Sequence, residues 1–151
     1  MSQSPEYIFS ELPAIALFEK MGYQYYNGEL LQERHDITEV ILKERLLKAI
    51  KRINPWINDN NLTKAYTLIT SVNGASLMEI NEKIWDIIKG GTFTPKQLID
   101  GKEEFLPVNF IDYSNPKNND FLVVSQMSFH NRLGRKSRPD LVVFINGLPI
   151  G

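Results

Sequence analysis

The 151-residue sequence contains no cysteine, so it forms neither disulfides nor thiolate metal sites. This absence agrees with the cytoplasmic location that we expect for the protein. Its only two histidines, His35 and His130, lack the spacing of a metal-binding pair. The N-terminal residues MSQSPEYIF contain neither a basic region nor a long apolar run, and we therefore expect no signal peptide and no membrane anchor there.

The sequence also lacks an excess of either charge, with 17 lysines and arginines against 18 acidic residues. Any binding of nucleic acid must therefore rest on local basic patches. Neither a GxGxxG nor a Walker A pattern is present, so no nucleotide site is indicated in this chain. A hydrophobic content of 42% is ordinary for a soluble domain, and 151 residues suffice to bury a core.

Hydrophobic periodicity predicts helices in the first half of the chain and strands in the second. The predicted helices start at Ser10, at Asp36 or Thr38, at Asn60 or Asn61, and at Ser76. The predicted strands comprise a small hairpin over 23–31, a strand over 105–113 and a strand over 121–129. This order is typical of an α/β or α+β domain with helices packed on a sheet.

The segment RPDLVVFINGLPI, residues 138–150, is the most informative part of the sequence. Leu141 to Ile145 has the length of a strand, and Asn146-Gly147 is the dipeptide preferred in a type I′ hairpin turn. The return strand would contain only the residues from Leu148 to Gly151. We therefore expect the chain to be a fragment that ends inside its own sheet.

Asp140, at the head of this strand, is a candidate ligand for a divalent cation. A second acidic ligand would come from the returning strand, at a position about two residues beyond Gly151. The alternative is that Asp140 only caps a buried strand after Pro139.

Glu11 lies in the first turn of the first predicted helix, whose apolar face we assign to Ala14, Leu17, Phe18 and Met21. A carboxylate in this position interacts favourably with the helix dipole. That interaction explains Glu11 without any catalytic role.

The segment HNRLGRKSR, residues 130–138, contains four basic residues and no acidic one. Its basic residues are Arg132, Arg135, Lys136 and Arg138. Because the segment directly precedes Asp140, these cations could hold a phosphodiester against a metal bound there. The alternative is a loop whose charges serve solubility alone.

The 138–150 segment closely resembles the nuclease signature of the R (restriction) subunit of type I restriction enzymes. The resemblance extends over most of the chain and includes FSELPAIALFEKMGYQYYNG at 9–28 and ITEVILKERLLKAIKRINPWI at 37–57. It continues through LMEINEKIWDIIKGG at 77–91 and VNFIDYSNPKNNDFLVVSQMSF at 108–129. The combined match is specific, whereas the Pro-Asp dipeptide alone would be weak.

The resemblance implies a restriction-endonuclease-like PD-(D/E)xK core, a mixed sheet flanked by helices that is incomplete at the C-terminus. Residues 1–151 would be the N-terminal part of this endonuclease domain in a larger multidomain subunit. Asp140 matches the motif aspartate that binds catalytic Mg²⁺, and Glu11 matches the acidic residue of the first helix. The family's Glu-x-Lys pair and its downstream Gln-Tyr element are absent after residues 138–150, which implies that the fragment itself is inactive.

The same resemblance implies the setting of the reaction. The parent subunit would cleave double-stranded DNA in a complex with a methylation subunit and a specificity subunit. It would also carry an ATP-driven DNA translocase that binds ATP outside this chain. The alternative function is a non-catalytic domain that docks DNA or the partner subunits.

Overall fold

A computed structural model describes residues 10–31, 40–130 and 134–151. The described residues fall into two compact units, one within Met1–Leu42 and Asp120–Gly151 and the other within Lys43–Asn119. Within the described ranges, no helix is both long and apolar enough to cross a membrane.

Helices and strands alternate irregularly along the described chain, as expected for a mixed α/β protein. The helices are α1 (Leu12–Lys20), α2 (Lys43–Ile53), α3 (Asp59–Thr70) and α4 (Leu77–Lys89). The strands are β1 (Gln24–Asn27), β2 (Lys96–Ile99), β3 (Lys102–Phe105), β4 (Phe121–Ser125), β5 (Phe129–His130), β6 (Lys136–Ser137), β7 (Leu141–Ile145) and β8 (Leu148–Pro149).

The first unit is built on a mixed four-stranded sheet with the order β1-β4-β7-β8. β1 pairs in parallel with β4, and β7 pairs antiparallel with β4. The inner strand β4 is the most buried strand of this sheet, and its residues Leu122 to Ser125 are all buried. The mixed sheet with associated helices confirms the predicted fold class.

One hydrophobic core covers this sheet. Its buried members are Leu42, Leu122, Val124, Met127, Val142 and Phe144, with Leu31 and Phe129 packed against them. Val142 and Phe144 alternate with less buried neighbours along β7, as the two-residue period of a strand requires. The core therefore fixes which face of β7 points inward, and with it the register of the strand that follows Asp140.

The predicted hairpin turn between β7 and β8 is confirmed. Asn146 and Gly147 both have positive φ, 53° and 79°, as a type I′ turn requires. Asn146 is also fully buried, and its side-chain oxygen accepts a hydrogen bond from the Asp120 backbone N–H at 2.7 Å. Its own N–H donates to the Asp120 carbonyl at 2.7 Å, so the turn holds the start of β4.

Replacing Asn146 by alanine is expected to destabilise the protein by about 1–3 kcal/mol, because a buried donor on Asp120 loses its acceptor. Alanine also tolerates positive φ less well than asparagine does. The free energy of unfolding, measured by urea denaturation, tests this expectation. Asn146→Gly is the comparison variant, since glycine keeps the turn conformation and removes only the side-chain acceptor. Equal free energies of unfolding for the wild type and both variants would contradict a stabilising role of the hydrogen bond between Asn146 and Asp120.

The hairpin predicted over 23–31 is wrong. β1 instead pairs with β4, and the chain after it enters a turn at Gly28. The N–H of Gly28 donates to the Ser125 carbonyl at 2.7 Å, and a Cβ on this glycine would lie 2.7 Å from both that oxygen and the Met127 Cα. The glycine therefore serves the close approach of two chain segments and not a local hairpin.

Helix α1 differs from the prediction in its cap and its apolar face. Glu11, and not Ser10, occupies the N-cap position. Ile15 is the buried hydrophobic residue of the helix, whereas Leu17 and Met21 are largely exposed. Because Glu11 and Ile15 are four residues apart, they lie on the same face of the helix. This face is the buried one.

In the second unit, the side chain of the buried Asn54 joins the end of α2 to the segment that follows β3. Its Nδ2 donates to the carbonyls of Ile50 and Asn109, each at 2.8 Å, and its Oδ1 accepts from the Asn109 N–H at 2.9 Å. The strand predicted over 105–113 is wrong, since β3 ends at Phe105 and no strand is formed over 106–113. The side chain of Asn54 pairs with this backbone as a neighbouring strand would.

The turn predicted over NPKNND is confirmed by a 3₁₀ turn at Pro116–Asn118. The side-chain amide of Asn118 and the backbone N–H of Asn115 donate to the Asp112 carboxylate and hold its pKa below the ordinary value. Hydrogen bonds to the ionised form of the carboxylate thus organise this turn.

Candidate active site

Asp140 lies immediately before β7, and its side chain is exposed. Its backbone carbonyl accepts a hydrogen bond from the Gln126 N–H at 3.0 Å. The pairing of β4 with β7 ends at Ser125 and Leu141, so this bond extends the ladder by one step. The exposed carboxylate at the end of a buried sheet is accessible to a cation and to a substrate.

Glu11 is only 7% exposed, although it is a carboxylate next to the start of a helix. It makes no side-chain capping bond to α1. Gln126 Nε2 lies 3.0 Å from each of the two Glu11 carboxylate oxygens and donates to them. The helix-dipole explanation therefore does not account for the burial of Glu11, because a buried carboxylate requires compensating partners and Gln126 provides them.

Gln126 thus contacts both acidic residues, Glu11 through its side chain and Asp140 through its backbone. The sequence analysis did not identify it. The only local signal is that Gln126 is the first strongly polar side chain after the apolar run Phe121 to Val124, with the small Ser125 between them. Such a residue more often marks the end of a strand than a site.

The chain around Gln126 is fixed by β1. The hydroxyl of Tyr25 lies within hydrogen-bonding distance, 2.9 Å, of the hydroxyl of the fully buried Ser125. The Ser125 carbonyl accepts the N–H of Gly28. These contacts hold the end of β4, from which Gln126 reaches the two acidic residues.

The described members of the predicted basic set are exposed. Arg135 and Arg138 lie on either side of β6, and Lys136 lies within it. Arg138 Nη2 forms an ion pair with Glu29 Oε1 at 2.7 Å, but both side chains are largely exposed, so the pair is weak and open to exchange. Arg132 lies outside the described residues, and the DNA-binding role of all four residues stays a prediction.

Glu11 and Asp140 both carry carboxylates, which are common ligands of divalent cations. The ion pairs of the described residues do not include Glu11, and in this part of the chain the Gln126 amide is the donor to its carboxylate. That part of the chain also contains no group of three or more acidic or histidine side chains able to hold a metal. Mg²⁺ often binds through one or two carboxylates and several waters, so a site with one or two carboxylates has enough protein ligands for this ion.

This chain is similar to endonuclease subunits of type I restriction enzymes. It is 36% identical over 147 residues to the type I restriction enzyme MjaIXP endonuclease subunit of Methanocaldococcus jannaschii, covering 93% of this chain and 14% of that protein. It is 25% identical over 138 residues to the type I restriction enzyme HindI endonuclease subunit of Haemophilus influenzae, covering 87% of this chain and 13% of that protein.

The family model for the type I restriction enzyme R protein N terminus matches residues 5–151. The chain therefore belongs to this family, which confirms the resemblance found in its sequence. It spans about a seventh of the length of the curated relatives it matches.

Proposed function

We propose that this chain contributes to a Mg²⁺-dependent DNA endonuclease domain in the R subunit of a type I restriction enzyme. One observation supports this proposal above all others. Gln126, at one end of the β4–β7 pair, holds the buried carboxylate of Glu11 through its side chain and the backbone of Asp140 through its N–H. An ordinary strand end does not require a buried carboxylate next to the chain segment that carries an exposed one.

In this proposal the carboxylate of Asp140 binds the metal, and that of Glu11 assists at the same site. Bound Mg²⁺ would activate a water molecule and neutralise charge on the scissile phosphate and the leaving oxygen. The exposed side chains of Arg135, Lys136 and Arg138, together with Arg132, contact the phosphate backbone. Such contacts position the duplex and carry no sequence information themselves.

The wider activity is proposed for the full-length protein, because this chain matches about a seventh of each relative. The Glu-x-Lys pair expected from the resemblance is not found in residues 1–151. We propose that cleavage of double-stranded DNA requires that pair, ATP bound elsewhere in the subunit, and the methylation and specificity subunits.

A second candidate function is non-catalytic docking of DNA or of the partner subunits. The exposure of Arg135, Lys136 and Arg138 favours it as much as it favours the nuclease. Docking gives no reason, however, for the buried carboxylate of Glu11 beside Gln126. We therefore prefer the nuclease.

The dependence of cleavage on the metal tests the nuclease function. In the assembled complex with a fixed amount of ATP, we expect cleavage to stop when free Mg²⁺ falls below the level that the site requires, because its carboxylates alone cannot activate water. Replacement of Mg²⁺ by Ca²⁺ should preserve DNA binding without cleavage, measured by gel shift and plasmid cutting. Cleavage that persists after full chelation would contradict the proposal, and the absence of cleavage under every metal condition would favour docking.

A further inference from the structure

The backbone of Gln126 adopts a conformation that is unusual for its residue type, with φ at +55°. Among the described residues, Asp100 and Asn146 are the other non-glycine residues with positive φ, and each directly precedes a glycine in a hairpin turn. Asparagine and aspartate favour this conformation, whereas glutamine does not. Gln126 has no such turn to explain its backbone, so another interaction must stabilise it.

Two sets of hydrogen bonds are made in this conformation. The backbone N–H of Gln126 donates to the Asp140 carbonyl at 3.0 Å. Its side-chain Nε2 donates to both carboxylate oxygens of Glu11, also at 3.0 Å. Sparsely populated backbone conformations persist when surrounding contacts determine them, and they concentrate at functional sites.

The bond to Glu11 is also specific in its geometry. One nitrogen of the Gln126 amide lies equally close to both oxygens of a single carboxylate, so these oxygens share a donor. This arrangement fixes the direction in which the carboxylate points and leaves further lone pairs on each oxygen. A cationic partner such as arginine would bind Glu11 more strongly but would also cancel the charge that attracts a metal ion.

We propose that Gln126 is a positioning residue that orients the Glu11 carboxylate relative to Asp140 for the binding of a divalent cation. The proposal rests on the nuclease function proposed above. Gln126 itself does not contact the metal. It acts through Glu11, and groups that hydrogen-bond to metal ligands typically change metal affinity by about 10- to 100-fold when they are removed.

A double-mutant cycle on nucleotide-free full-length protein tests this role. Mg²⁺ alone is titrated by calorimetry into the wild type, Gln126→Met, Glu11→Gln and the double variant. The same titration into Asp140→Ala measures the Mg²⁺ binding that occurs outside the proposed site. We expect each single variant to weaken Asp140-dependent binding about tenfold. The double variant should bind no more weakly than Glu11→Gln, because Gln126 has no other route to the ion.

Gln24→Met is the matched control, since Gln24 is exposed on β1 and its loss should leave Mg²⁺ affinity unchanged. If Gln126→Met does not fold, Gln126→Gly takes its place in the cycle, because glycine adopts positive φ freely. Either of two results would overturn the positioning role alone. The first is an unchanged Mg²⁺ affinity in the Gln126 variant. The second is that the Gln126 substitution weakens Mg²⁺ binding equally in the wild type and in Glu11→Gln. Wild-type affinity in Asp140→Ala would instead overturn the proposed metal site.

Discussion

Replacing Asp140 by alanine in the full-length protein is expected to abolish DNA cleavage while ATP-driven translocation continues. The loss should be about a thousandfold or more, as for other groups that stabilise charge in the transition state. The reason is local, because the exposed carboxylate at the head of β7 would no longer hold the cation. Cutting of plasmid DNA in the assembled complex measures cleavage, and displacement of a triplex strand measures translocation.

Asp86→Ala is the matched control for this variant. Asp86 is an exposed aspartate on α4, and its carboxylate forms only a long surface ion pair with Lys89 at 3.8 Å. We expect this control to cut DNA at the wild-type rate. If Asp140→Ala still cuts DNA with Mg²⁺ and ATP, the assignment of Asp140 to the active site is wrong.

Replacing Phe144 by alanine is expected to destabilise the protein by about 3–5 kcal/mol. Phe144 is completely buried in the core of the first unit, where it pairs with Leu122 across β4 and β7. Its removal leaves a cavity at the centre of that sheet. Because the stability of a domain is only about 5–15 kcal/mol in total, this loss would leave a substantial unfolded population. Urea denaturation followed by circular dichroism measures the change.

Phe105→Ala provides the comparison for this core variant. Phe105 is 64% exposed at the end of β3, so the same chemical change removes little buried area. We expect its effect on the free energy of unfolding to remain within about 0.5 kcal/mol. Equal destabilisation by the two substitutions would show that the core is not centred on Phe144.

The parts of the fold that the sequence predicted correctly are encoded by neighbouring residues. The turn at Asn146-Gly147 follows from two residues that both tolerate positive φ. β7 follows from five consecutive apolar residues of strand length. Asp140 could be selected as a site residue for the same reason, since its place at the head of β7 is a local property.

The link between Glu11 and Gln126 could not be predicted in this way. The two residues are 115 positions apart, and no periodic pattern connects them. The local pattern places Glu11 only at a helix terminus, where the dipole explains it, and the family resemblance alone made it a candidate site residue. Its burial depends on which side of α1 turns inward, and the exposed Leu17 and Met21 made the opposite side look more apolar.

The segment after β3 shows a second limit. Val108 and Phe110 lie on either side of the polar Asn109, as on one face of a strand, and both are buried. Their backbone nevertheless has the side chain of Asn54 as a partner at Asn109, from 55 positions away. An alternating hydrophobic pattern indicates which residues are buried. It does not indicate whether a neighbouring strand is present to pair with the backbone N–H and C=O groups.

The mixed sheet has a consequence for the order in which the molecule assembles. β4, β7 and β8 are close in sequence, whereas β1 joins β4 through the pairing of Tyr25 with Val123, nearly a hundred positions away. Loop-closure entropy favours early formation of the near pairs and late docking of the distant strand. Tyr25 and Glu11 both belong to the distant N-terminal segment. We therefore expect the β4–β7–β8 part of the sheet to form first, with Asp140 at its end, and the candidate site to be completed when the N-terminal segment docks.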